Sequence, residues 1–323
     1  MGFPIVTPAI LNSLKEKLAP AAPEDFCDVA VTVSAVEYVP KLSRIEIAET
    51  LIAEKDILAY NMINLNDEQS QQFVEQSRQI ISEHPSANYY WQMRTLFMSI
   101  MQNRGIPFEN RMLLLNYAVK TAQGMYDNGQ GERIPKFIDE FTSLTDYTPV
   151  LEYFKQIRPN PMYSLADGIS LIKSLKKPNA AYKEVLSTIY KNLGVSGPET
   201  LKMIDVPKYI GMRKAYSEAM NSEKSIAMEN IMINYIWSYS LPFAHTEFNF
   251  WDHFVFFGSL YNAVKILYTC YMPGKEDGDF AKAISAFDAA LRISDPKLMH
   301  KVIYAMRNAG QNNNGDLAVL TLS

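Results

Sequence analysis

The chain has 323 residues, 48% hydrophobic and 12% aromatic, with 17 Pro and 14 Gly; this composition excludes disordered, collagenous and low-complexity classes and is long enough to bury a sizeable core. Its 31 basic and 35 acidic residues leave a net charge of −4 with no block of one sign, so no footprint for nucleic acid or anionic lipid stands out. Cys27 and Cys270 are too few for a disulfide framework or a Cys-only metal site and suit a reducing cytoplasm, while the start MGFPIVTPAILNSLKEK lacks a signal-peptide pattern and the apolar run after Phe254 meets Lys265 too soon to span a membrane.

In chain order, Thr7-Pro8 sets a capping residue before a proline and predicts a short helix to about Leu18, ended by Pro20 and Pro23. The alternation FCDVAVTVSAVEYV from Phe26 to Val39 puts Val29, Val31 and Val33 on one side and predicts a strand or extended segment. Helical spacing resumes through Leu42, Ile45, Ala48, Leu51 and Ile52 to about Ala59, and Asn66 caps a helix reaching about Ser82. Ala87 to Arg104 gathers Tyr90, Met93, Phe97, Ile100 and Met101 on one face. Pro107 opens the next helix through Met112, Leu115, Val119 and Ala122, so the two form an antiparallel pair. Gln130-Gly131 interrupts, Ile134 to Phe141 is a short helix, and Thr148-Pro149 starts another that ends near Arg158. The run Pro159-Asn160-Pro161 is the expected joint between an N-terminal helical region, 1–158, and a C-terminal one, 159–323, within one compact unit. Helices follow at about 164–176, 178–193 and 198–220.

The stretch 226–272 organises the rest, because it reads as two helices too apolar to stand unless others pack around them. Glu229, Asn230, Asn234 and Ser238 interrupt the first, the last three stacked four residues apart in one polar stripe. Leu241-Pro242 stops it, and the aromatic run from Phe248 to Tyr261 opens the second. Ile233, Trp237, Phe254, Phe257 and Leu260 are the expected centre of the core. Gly274 to Gly278 leads to closing helices at about 279–292 and 295–308, and Leu317, Val319, Leu320 and Leu322 read as a last turn tucked into the core. With no internal repeat, these features predict an all-α fold: an irregular bundle of roughly fourteen helices around a buried hairpin, with at most a short strand pair near the N-terminus.

The loop HTEFNFWDH concentrates His245, Glu247, Asp252 and His253, two imidazoles and two carboxylates that can pass protons near neutral pH or bind a divalent metal; these are the candidate catalytic residues. Their spacing matches no metal signature, and the same groups can instead serve the second helix, Asn249 or Asp252 as a cap and His253 as a hydrogen-bonded histidine. GQGER at 129–133 lacks a preceding strand, a third glycine and a lysine and reads as a turn; no GxSxG elbow occurs, and neither cysteine has a histidine close in sequence. Tyr and Met at helical spacing read as core. Asn230, Asn234 and Ser238, with Gly258, Ser259 and Asn262 on the partner helix, line either a polar cleft or a water-facing seam.

The stretch YYWQMRTLFMSIMQNRGIPFENRMLLLNYAVK, residues 89–120, sets Arg94, then Gln102 and Arg104, then Pro107 and Arg111, and resembles the middle of the flagellin lysine-N-methylase family. The region from Glu229 through Tyr235 and Phe243 to Tyr271 and the ending SDPKLMHKVIYAMRNAGQNNNGDLAVLTL are similar to that family's C-terminal region, and together these cover about three quarters of the chain. The resemblance implies a protein-lysine N-methyltransferase acting on flagellin with S-adenosylmethionine as methyl donor. Family members carry a cysteine-rich N-terminal segment for an iron–sulfur cluster; here Cys27 stands alone in that region against the roughly four thiolates a cluster takes, so no cluster is expected. The target ammonium must lose a proton, which asks for a carboxylate or histidine within reach, and the loop at 245–253 is the expected source. The alternative is a non-enzymatic helical binding or regulatory protein of the same descent. Both readings give a cytoplasmic protein with a protein partner, flagellin or a surface like it, without nucleic acid or membrane.

Arg94, Arg104 and Arg111 are the candidate cofactor-binding residues, a planar guanidinium suiting a cofactor carboxylate better than an ammonium. Arg94 and Arg104 do not share a face tightly, whereas Arg104 and Arg111 flank the turn at Gly105 to Pro107 and can converge. The structural alternative ties each guanidinium to a carboxylate or to helix C-terminal carbonyls.

Overall fold

The computed structural model describes residues 6–8, 26–27, 42–57, 60–62, 84–158, 160–175, 180–197, 200, 203–239, 241–242, 248–293 and 297–308. Among the described residues four short strands lie in the N-terminal part, the last of them after the first helix: β1 (Val6–Pro8) pairs antiparallel with β4 (Tyr60–Met62), and β2 (Phe26–Cys27) with β3 (Leu42–Ser43). The registers set Thr7 opposite Asn61 and Cys27 opposite Leu42. The described residues also form twelve α-helices. They are α1 (Arg44–Ala53), α2 (Tyr90–Met101), α3 (Phe108–Asp127), α4 (Ile134–Thr142), α5 (Thr148–Phe154), α6 (Pro161–Ser174), α7 (Ala180–Asn192), α8 (Val206–Met220), α9 (Lys224–Ser238), α10 (Phe250–Tyr271), α11 (Asp277–Ile293) and α12 (Leu298–Asn308).

The protein is all-α in character, as its helical periodicity dictates. Two details differ from the sequence reading. Among the described residues there are two short strand pairs, and Thr7 and Pro8 lie in β1, paired with β4, while the helix expected to run on to about Leu18 falls outside the described residues. The helix expected at 66–82, the turn expected at 317–322 and most of the segment after Pro8 lie outside the described residues.

Helix starts follow local chemistry. Asn160 accepts from Tyr163 N at the head of α6, with Pro161 in the first turn, and Asp205 accepts from Lys208 N at the head of α8. For α10 the cap is reciprocal: Asn249 Oδ1 accepts from Asp252 N at 2.8 Å, while Asp252 Oδ2 accepts from Asn249 N at 3.2 Å. Gln123 of α3 adds a further acceptor, its Oε1 taking Phe250 N at 2.9 Å.

Every residue of α10 except Tyr268 is buried, so this helix is the axis of the molecule. It packs against α3, α6, α7, α8, α9, α11 and α12, with α6 its most extensive neighbour. Phe97 of α2 meets Phe254 and Phe257 edge-on at 6.3 and 5.5 Å. The closeness of α6 and α10 depends on Gly168, where a Cβ would fall 2.6 Å from Ile266 Cγ1. Buried side chains from Ala48 to Met306 make one continuous core, with Leu113 and Phe154 as a small satellite. Ile233, Phe254, Phe257 and Leu260 are buried as expected. Trp237 is only partly buried, because α9 ends one residue later and its last turn lies at the rim.

Candidate functional site

Asn230 and Asn234 of the polar stripe on α9 are buried and face neither an open cleft nor water. Asn230 is fully buried, and its Nδ2 donates to Leu51 O at 2.8 Å and Glu54 O at 3.0 Å, closing the carbonyl end of α1. Glu229, also buried, receives Arg104 Nη2 on Oε1 at 2.9 Å and Arg111 Nη1 on Oε2 at 2.6 Å. Arg104 Nε also donates to Glu229 Oε1 at 3.0 Å, its Nη1 and Nη2 reach Lys55 O and Asp56 O, and Arg111 donates further to Ile106 O at 2.7 Å and Met101 O at 2.8 Å. The two arginines thus converge, as their places beside the turn predict, and they bind the end of α1 and the α2–α3 turn to α9 through one carboxylate. Burial pulls the Arg111 pKa down, and the bond to Glu229 opposes this.

Arg94 is different. It is 2% exposed, none of its three guanidinium nitrogens has a hydrogen-bond partner, and its Cζ lies 4.6 Å from the Tyr90 ring centroid and 4.4 Å from that of Trp237. Desolvation pushes its pKa down to about 10.

Of the acid–base loop, His245 and Glu247 lie outside the described residues. Asp252 and His253 are both buried: Asp252 forms the capping box, and His253 Nδ1–H donates to Asn249 O at 2.8 Å. Phe248 carries the loop onto α12, meeting His300 at 4.9 Å and Tyr304 at 6.2 Å between ring centroids. Among the described residues no group of three or more His, Cys, Asp or Glu side chains is arranged to hold a metal ion.

A cleft lies between α6, α10 and α12, with a volume of about 260 Å³. From α6 come Asp167, Ser170, Leu171 and Ser174, spaced as one helical face; from α12 come Leu298, Lys301, Val302, Ala305 and Met306, again one face; the floor is Ser259 of α10. Asn262 fixes the polar end. It donates through Nδ2 to Asp167 Oδ2 and to Ser164 O, both at 2.9 Å, and accepts from Ser164 Oγ on Oδ1 at 2.7 Å. Burial raises the Asp167 carboxyl pKa, and the Asn262 bond opposes this. Ser259 Oγ is buried on the floor without a hydrogen-bond partner. Ser259 and Asn262 are two of the groups the sequence marks as cleft-lining, but their opposite wall comes from α6 and α12 instead of α9. Asp167 carries no sequence signal of its own, since a carboxylate among serines on a helix reads as a solvated face.

A second cavity, of about 500 Å³, opens between α8 and the end of α10. No described helix is long and apolar enough to cross a membrane. The family model described as the FliB lysine N-methylase C-terminal domain matches residues 94–320. No curated protein and no solved structure gives a match.

Proposed function

Because the chain belongs to the family of the FliB lysine N-methylase C-terminal domain, we propose that it serves methyl transfer to a protein lysine, and that the cleft between α6, α10 and α12 receives the lysine side chain. The observation that carries this reading is Asp167, a carboxylate of raised pKa at the polar end of a cleft whose other walls are largely apolar. A lysine needs both parts: Leu171, Val302, Ala305 and Met306 offer an apolar lining to its methylene stem, and the carboxylate receives its ammonium. A carboxyl held above its usual range is also the better base, and the ammonium must give up its proton before nitrogen can attack carbon.

S-adenosylmethionine, the donor the family implies, supplies the methyl group when bound. Of the cleft's lining, Lys301 is the group that suits its carboxylate. Asp167 takes the proton from the lysine ammonium, Asn262 holds Asp167 in place, and the apolar walls of α12 exclude water around the amine. Asp252 and His253 act one step back by fixing the loop whose Phe248 supports α12. Arg104 and Arg111 position α1 and the α2–α3 turn. Arg94 lies away from the cleft: at about 100° per residue, the Phe254 and Phe257 face of α10, against which α2 packs, is roughly opposite the Ser259 and Asn262 face. The substrate is then a lysine-bearing protein, flagellin being the one the family resemblance implies.

The test is incubation with flagellin and S-adenosylmethionine, read by mass spectrometry for lysine methylation, alongside calorimetry with a lysine-bearing flagellin peptide. Asp167→Asn should keep the fold and remove transfer. Transfer by that variant at the wild-type rate would overturn the assignment of Asp167. Peptide binding that depends on Asp167, with no transfer, would place the chain with non-enzymatic binding modules.

A further inference from the structure

The second cavity lies beside a different part of α10. Gly211, Ala215 and Ala219, each four residues after the last, put small side chains along one face of α8, and the space they leave is closed by Tyr216, Tyr268, Thr269 and Met272. Its volume of about 500 Å³ falls in the range of small-molecule sites. Thr269 is 3% exposed, lines the cavity and has its Oγ1 without a hydrogen-bond partner, a cost that a ligand's polar atom would remove. Both charged side chains lining the cavity are cationic, Lys224 and Lys275. Lys224 spends its ammonium on Asp277 Oδ1 at 3.2 Å, while Lys275 lies 4.5 Å from the Tyr271 ring centroid. α9 begins at Lys224, so the positive end of its dipole lies at the same rim.

The geometry points to a site for a small flat aromatic molecule bearing one anionic group, of the size and chemistry of a nucleoside monophosphate. The ring lies against Tyr268 and the alanine-lined face of α8, a polar ring or sugar atom meets Thr269 Oγ1, and the anionic group meets Lys275 at the mouth. This site is independent of the lysine cleft. Ser259 and Thr269 are ten residues apart on one helix, about 15 Å at 1.5 Å per residue, so no single small ligand reaches the centre of both.

Adenosine monophosphate is the probe, with adenosine and inorganic phosphate as its separated parts, measured by isothermal titration calorimetry on the full chain. We expect the monophosphate to bind at least tenfold more tightly than either part. Lys275→Gln should weaken the monophosphate about tenfold and leave adenosine unchanged, because it removes only the partner of the anionic group. Ala215→Trp should abolish binding of both at an unchanged melting temperature, since Ala215 is exposed at the cavity wall and a large ring there fills the space without entering the core. Equal binding of the monophosphate and adenosine, unchanged binding in Ala215→Trp, or no binding of any probe would overturn the assignment. None of these results bears on Asp167.

Discussion

Replacing Arg94 by methionine tests whether a buried guanidinium without a hydrogen-bond partner weakens the fold. A guanidinium whose pKa falls from 12.5 to about 10 is less favourable inside the protein than in water by roughly 3 kcal/mol, at 1.36 kcal/mol per pH unit. Stacking on Tyr90 and Trp237 returns about 1–2 kcal/mol of that. Methionine keeps an unbranched stem between the two rings and discards the charge, so Arg94→Met should unfold at the wild-type free energy or about 1–2 kcal/mol above it. Arg111 supplies the contrast. Its charge is equally enclosed but paired, so Arg111→Met leaves Glu229 buried with half its partners and should cost about 3–5 kcal/mol. Urea unfolding followed by far-ultraviolet circular dichroism, with unchanged dependence on denaturant, gives both numbers. A loss of more than about 2 kcal/mol in Arg94→Met would refute the reasoning, because it would mean that the stack alone makes the charge favourable.

Lys265 is buried 3.5 Å from Glu109, and desolvation lowers its pKa to about 8, so in the folded protein it sheds its proton before the unfolded chain does. The unfolded state then holds more protons between pH 8 and 10.5, stability rises with pH there until the buried tyrosines oppose it near pH 10, and Lys265→Met should lose that rise in a pH series of denaturation curves. For Asp167 the folded pKa is raised, so the protonated form is favoured and the stability it lends is present at low pH and lost as pH climbs through the folded value. Methyl transfer should climb over that same interval as the carboxylate forms, and a rate falling there would remove Asp167 as the base. Gly168→Ala gains about 1 kcal/mol of helix propensity yet meets Ile266 at 2.6 Å, so a net loss of about 1–3 kcal/mol is expected by thermal unfolding, and a gain would show that α6 and α10 can separate freely. Phe257→Ala should cost about 3–5 kcal/mol and Trp237→Ala clearly less, since only the first is fully buried; equal losses in chemical denaturation would contradict the placement of Trp237 at the rim.

Much of this architecture is legible in the sequence, for reasons that differ from element to element. The helices expected at about 164–176 and 198–220 are found as Pro161–Ser174 and Val206–Met220, and the side chains that fix their starts, Asn160 and Asp205, are local caps that the periodicity alone does not mark. The continuous apolar run of α10 can only mean burial on all sides. What sequence cannot give is the azimuth of neighbours. Glu229 and Asn230 read as the edge of a polar stripe, but their partners are the carbonyl end of α1 and two arginines more than a hundred residues away. Trp237 has core chemistry and helical spacing, and only the position of the helix end decides that it stays at the rim. Asp167 is invisible for the same reason, since its significance comes from Asn262, a residue of another helix.

The burial of α10 also bears on the two cavities. A helix enclosed on every side cannot leave its polar groups to water, so each must be met by protein or by something else. Asp252 and His253 are met by the cap, Asn262 by Ser164 and Asp167, and Lys265 by Glu109 and the Tyr216 and Tyr261 rings. Among the described residues, two side-chain atoms of this helix are met by nothing, Ser259 Oγ and Thr269 Oγ1, and each of these residues lines one of the two cavities. The two unmet hydroxyls thus coincide with the two cavities, the places where a ligand could supply the partner that the protein does not. Replacing Ser259 or Thr269 by valine or alanine should therefore stabilise the unliganded protein or leave it unchanged, and should lower affinity only at the cavity that the residue lines.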